Sequence, residues 1–74
     1  MHTEKQIGSL FYDKEVGRMN IRFGLDEYYG GLHCGDCLDV LLEGEWISTR
    51  IEMGDDWYLV GIDTNDLVGL IVKM

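Results

Sequence analysis

Between its glycines this chain offers only short segments in which apolar residues return at every second position, and a helical period nowhere. That pattern admits strands and excludes amphipathic helices, because a period of two sends alternate side chains to opposite faces of a sheet. Residues 18–23 (RMNIRF) are the clearest case: Met19, Ile21 and Phe23 point one way, Arg18, Asn20 and Arg22 the other. Residues 37–42 repeat it, with Leu38, Val40 and Leu42 inward. Glu43-Gly44 then forms a tight hairpin into residues 45–53, where Ile47, Thr49, Ile51 and Met53 share one face and Trp46, Ser48, Arg50 and Glu52 the other. Residues 7–12, 57–62 and 67–72 read as further strands, with turns at 13–17, 54–56 and 63–66. Gly61 and Gly69 fall inside expected strands, where glycine marks a bulge or a sharp bend. The expected fold is all-β: a small, strongly bent antiparallel sheet or SH3-like barrel of five to six strands. The barrel is the first choice, because closure removes edges that so small a domain could not otherwise protect.

The 74 residues form one domain, 1–74, whose short chain buries too little surface for a large core. Domains of this size often rely on a metal, a disulfide or a partner. Hydrophobic residues at 46 % exclude compositional disorder, and no apolar run approaches the ~18 residues of a membrane span. The first residues lack the basic and apolar blocks of a signal peptide, so a cytoplasmic location is expected. Fourteen acidic against six basic residues give a net charge of −8, which argues against direct nucleic-acid or anionic-membrane binding. It favours a basic protein surface as partner.

Residues 24–36 (GLDEYYGGLHCGD) fit neither strand nor helix, and a loop that long in a compact domain is functional or pinned. Its end and the residue that follows it carry the sharpest local motif, His33-Cys34-Gly35-Asp36-Cys37. A Cys-x-x-Cys around a glycine lets two thiolates converge on one ion, and zinc wants about four ligands in a tetrahedron. His33, Cys34, Asp36 and Cys37 are the candidate ligands of a structural zinc that would pin the loop, with His2, Asp26 and Glu27 of suitable chemistry to complete it. A second copy of the chain could also supply its own pair, which would make a homodimer. Two alternatives stand beside the metal. The cysteines could be small core residues, Cys37 opening a strand, or a redox dithiol, although no βαβ pattern places Cys34 at a helix N-terminus.

Acidic residues crowd the hairpin turns, which is expected to make one end of the fold strongly negative. Asp55, Asp56, Glu43, Glu45 and Glu52 are the candidate residues for engaging a basic partner, and no pair among them is singled out as general acid and base. Turns favour Asp and surfaces favour charge, which is the plain explanation of such a cluster. Trp46, sharing its face with Arg50, and Tyr29 in the loop are candidate apolar anchors, whereas Trp57 is the better candidate for the core.

The segments YYGGLHCGDC (28–37), GEW (44–46) with TRIE (49–52), DWYLVG (56–61) and LVGL (67–70) together resemble a family of short proteins known only as a domain of unknown function. The resemblance runs from about Ile7 to the C-terminus. It implies carriage on conjugative elements, plasmids and prophages of Gram-positive bacteria, hence a bacterial cytoplasm, and it brings no enzyme activity. Small acidic proteins of such elements include anti-CRISPR proteins. The resemblance therefore implies, most concretely, a non-enzymatic inhibitor that binds a type II CRISPR effector nuclease and blocks DNA loading or cleavage. The alternative is a zinc-stabilised SH3-like interaction module of a conjugative element or plasmid that takes a peptide in an aromatic groove. A thiol-redox protein using Cys34 and Cys37 is the third class.

Overall fold

The computed structural model describes residues 5–64 and 66–74. Met1 to Glu4, and with them the candidate ligand His2, lie outside the described residues, as does Asn65 of the last expected turn. Six strands form in the order β1 (Ile7–Asp13), β2 (Arg18–Arg22), β3 (Cys37–Leu42), β4 (Glu45–Met53), β5 (Trp57–Leu59) and β6 (Ile71–Lys73). No helix occurs among the described residues, and none is long and apolar enough to cross a membrane. The hairpins expected at 13–17, 43–44 and 54–56 are all present, joining β1 to β2, β3 to β4 and β4 to β5. Gly17 takes φ 70° where its amide donates to the Asp13 carbonyl at 2.8 Å. Glu43 and Gly44 both have positive φ (51° and 81°), the conformation that a two-residue turn needs to match strand twist.

All neighbouring strands are antiparallel, in the order β2-β1-β6-β3-β4-β5. The last strand is therefore central. Val72 pairs with Gly8 on one side and Val40 on the other, and reciprocal bonds between Gln6 and Met74 (2.9 and 3.0 Å) extend the β1–β6 ladder. Strand β6 is shorter than the sequence suggests. The Leu70 amide donates back to the Leu67 carbonyl at 3.2 Å and Gly69 has φ 91°, so the chain turns at 67–70, although the Gly69 amide (2.8 Å to the Leu10 carbonyl) and the Leu70 carbonyl (2.9 Å from the Leu10 amide) still bond to β1.

The sheet is open, and no ladder joins β2 to β5 among the described residues, so the bent-sheet form is found rather than a closed SH3-like barrel. Edge protection comes from elsewhere. Along β2, Tyr29 donates to the Ile21 carbonyl at 2.9 Å and Leu32 to the Met19 carbonyl at 2.7 Å, so the long loop covers the strand that closure would have covered. At the other edge β5 is only three residues long.

A single sheet without a covering layer encloses a core only by curling. Leu10, Met19, Ile21, Leu38, Val40, Ile51, Leu59 and Val72 bring one buried cluster together from all six strands, joined by Leu32 and Leu67 from the connections. Gly8 permits the curl at β1. A Cβ there would stand 2.6 Å from both the Arg22 carbonyl oxygen and Ile21 Cγ2. Trp57 packs partly buried against this cluster, as expected, whereas Ile47 and Met53 of the expected inward face are 37 % and 50 % exposed.

Candidate functional site

The long loop is held by a polar residue that its strand period places outward. Asn20 is 2 % exposed although it shares the outer face with Arg18 and Arg22. Its Oδ1 accepts from three backbone amides: Ile21 at 2.8 Å, Gly30 at 2.9 Å and Gly31 at 3.0 Å. Its Nδ2 donates to Asp13 Oδ2 at 3.0 Å. Gly30 and Gly31 have φ 109° and 111°, a backbone that other residues rarely adopt, and it turns their amides onto one oxygen. Arg18 adds a bond to the Leu32 carbonyl at 3.2 Å. The loop is thus held against β2 by Asn20, Arg18 and the backbone.

The His33–Cys37 motif forms a tight turn. The Asp36 backbone amide donates to the His33 carbonyl at 3.0 Å, and Gly35 takes φ 92°, the third-position requirement of a type II turn. Asp36 Oδ2 accepts from the His33 amide at 2.9 Å, lies 4.0 Å from His33 Nδ1 and receives a long 3.5 Å contact from the Tyr29 hydroxyl. Partial burial and then the Asp36 carboxylate push the Tyr29 phenol above its ordinary value of 10.0, so Tyr29 stays a donor. Cys34 and Cys37 are free and exposed, not core residues; the Cys37 thiol donates weakly to the Gly35 carbonyl at 3.7 Å. Among the described residues no three His, Cys, Asp or Glu side chains gather into a metal-holding group.

The expected acidic end is divided. Glu43 and Glu45 stand exposed at the β3–β4 turn, Asp55 and Asp56 at the β4–β5 turn, and the nine-residue β4 lies between them. At about 3.3 Å per residue that separates the pairs by roughly 25–30 Å along the strand. Glu52 is taken by Arg50 at 2.9 Å. Trp46 is 37 % exposed, and Lys73 Nζ sits 4.3 Å from its ring centroid, so one face of the anchor is already covered.

Where the sheet curls, a cavity of about 490 Å³ opens between the first hairpin and the β4–β5 turn, lined among others by Tyr12, Met19, Asp56, Trp57, Asp66 and Leu67. Sequence reading missed it because its walls come from segments far apart in the chain.

On the outer face Asp39, 9 % exposed, accepts from Lys5 at 2.7 Å and Ser48 at 3.0 Å. The Lys5 hydrogen bond, against the opposing effect of burial, holds its carboxyl below the ordinary 3.8, with Ser48 helping. A depressed folded-state value gives stability that is complete above 3.8 and fades as pH falls through the lower value. Wild type is thus expected to melt above Asp39→Asn at pH 7, the gap closing on acidification below 3.8. The Lys5 side chain is 56 % exposed, which screens the pair and keeps the gap small. Thermal melts across that range check it, and a gap independent of pH would contradict it.

A family model described as Domain of unknown function (DUF5348) matches residues 8–74. A crystal structure of a protein from Ruminococcus gnavus is similar, with 58 % sequence identity and a TM-score of 0.89 over 93 % of this chain and 100 % of that one. No curated protein matches the chain.

Proposed function

Because the chain belongs to the DUF5348 family, a domain of unknown function, we propose from its surface chemistry that it is a non-enzymatic binding module whose acidic surface occupies a basic surface of a nucleic-acid-handling protein. What carries this reading is an asymmetry in how its charges are used. Of the six basic residues, Lys5 pairs with Asp39 and Arg50 with Glu52, Arg18 and Arg22 donate to backbone carbonyls and Lys73 lies over Trp46, which leaves Lys14 exposed and unpaired among the described residues. Glu43, Glu45, Asp55, Asp56, Asp63 and Asp66 stand exposed. The outward field is therefore that of carboxylates, the complement of a channel lined with Lys and Arg.

A type II CRISPR effector nuclease is the most concrete partner of that chemistry, and inhibition from a mobile element is the corresponding role. In a DNA-cleavage assay with such a nuclease, the wild-type protein inhibits and Asp55→Lys/Asp56→Lys inhibits about tenfold more weakly or worse. Equal inhibition by the variant would contradict the proposal. A peptide-binding module is the second reading, favoured by a cavity of about 380 Å³ lined by Phe11, Arg22, Tyr28 and Val68 among others. Under that reading Tyr28→Ala abolishes binding while the Asp55/Asp56 reversal leaves it intact.

A further inference from the structure

We infer that the cavity between the first hairpin and the β4–β5 turn receives an arginine side chain of the basic partner, an inference that rests on the proposed function and localises it. The floor is apolar: Met19 and Leu67 are 4 % and 6 % exposed, and Trp57 packs against the same core cluster. Such a surface suits the methylene stem of a long cationic side chain. The same cavity is lined by two carboxylates and no basic residue. Each carboxylate is oriented by the backbone, Asp56 Oδ1 accepting from the Trp57 amide at 2.8 Å and Asp66 Oδ1 from the Val68 amide at 3.0 Å. Each keeps its second oxygen without a hydrogen bond among the described residues.

Arginine rather than lysine fits this wall. Its planar guanidinium presents donors in a fork that matches carboxylates and stacks on aromatic rings, and the lining includes the aromatic residues Tyr12 and Trp57. Charge complementarity selects a basic protein segment as the occupant. Of the carboxylates predicted from the sequence for partner binding, only Asp56 lines the cavity, and it is joined by Asp66 from a distant turn.

The test uses Trp57 as reporter in a Trp46→Phe background, since the chain has two tryptophans. The protein is titrated with an amidated tri-arginine peptide, a tri-lysine peptide and a tri-citrulline peptide, the last having the shape of arginine without its charge. The expected result is a saturable change in Trp57 emission with tri-arginine that is weaker with tri-lysine and at least about tenfold weaker with tri-citrulline. Asp56→Asn/Asp66→Asn, in which the asparagines still accept the two backbone amides, is expected to weaken tri-arginine binding at least about tenfold. Asp26→Asn/Glu27→Gln removes the same charge from the long loop and is expected to leave the titration unchanged. An equal response to citrulline, a response insensitive to Asp56→Asn/Asp66→Asn, or no response would overturn the cavity assignment. If nuclease inhibition persists while the peptide fails, the cavity alone is wrong. If the peptide binds as described while no nuclease is inhibited, the partner is wrong and the cavity stands.

Discussion

Asn20→Ala is expected to lower the melting temperature by about 15–25 °C or to leave the chain unfolded at room temperature. One oxygen accepts the amides of Ile21, Gly30 and Gly31, and one nitrogen reaches Asp13. Alanine removes both and leaves the three donors without their shared acceptor. Each orphaned buried group costs about 1–3 kcal/mol, and partial relaxation brings the sum to roughly 3–4 kcal/mol. A domain of this size holds only about 4–11 kcal/mol in total, at 0.05–0.15 kcal/mol per residue. The loss extends beyond the loop, because Leu32 is fully buried and its amide bonds to Met19 on the edge strand. A reciprocal exchange separates this network from simple packing. In Asn20→Asp alone, two carboxylates face each other across the 3.0 Å contact to Asp13. Adding Asp13→Asn restores a donor and an acceptor in exchanged positions, so the double variant is expected to recover much of the stability lost by Asn20→Asp. Thermal unfolding followed by circular dichroism reads both effects. A melting temperature for Asn20→Ala within a few degrees of wild type would contradict the assignment.

Removal of residues 71–74 is expected to abolish cooperative folding. These residues contain β6, which lies between β1 and β3 and, among the described residues, is the only strand that joins the first hairpin to the β3–β4–β5 meander. Its loss leaves ladder groups unpaired on both neighbours and takes the fully buried Val72 out of the core. The first hairpin and the β3–β4–β5 meander are then no longer joined by a strand ladder and keep only the contacts of the long loop and of residues 67–70, and a hairpin outside a sheet is marginal at best in water. The milder Val72→Ala keeps the strand and removes two methyl groups, at a cost of about 2–3 kcal/mol, which corresponds to a fall of about 10–20 °C. The expected signature of the truncation is loss of amide dispersion in a nitrogen–proton correlation spectrum. A truncated chain that still melts in one cooperative step would contradict the central placement of β6.

Alternation was enough to read most strands from the sequence, since residues 18–23 and 37–42 carry nearly pure period-two patterns and fold as β2 and β3. It did not reveal that β6 lies at the centre, because pairing order depends on contacts between residues about sixty positions apart, such as Gly8 and Val72. Asn20 shows the limit most clearly. Its period correctly placed it on the outer face, but burial came from a loop folding back over that face. The one local sign was the Gly30-Gly31 pair, whose positive φ values leave amides in need of an acceptor. Turn chemistry likewise located the carboxylates in sequence and not in space. Glu43 and Asp56 both occupy turns, yet β4 holds those turns apart, and Asp66 meets Asp56 at one cavity only because the sheet curls. The turn at Cys34 was legible from Gly35, whereas the free, exposed state of both thiols depends on how the loop packs.

Binding between the wild-type protein and a type II CRISPR effector nuclease, measured as a function of salt, addresses the functional proposal most directly. The wild-type dissociation constant is expected to rise at least about tenfold between low and physiological ionic strength, because exposed charges are screened over ~8–10 Å. Asp55→Asn/Asp56→Asn is expected to bind more weakly at low salt and to show a flatter dependence. A dissociation constant that ignores salt, or an unchanged affinity in the double variant, would contradict an acidic surface as the means of recognition.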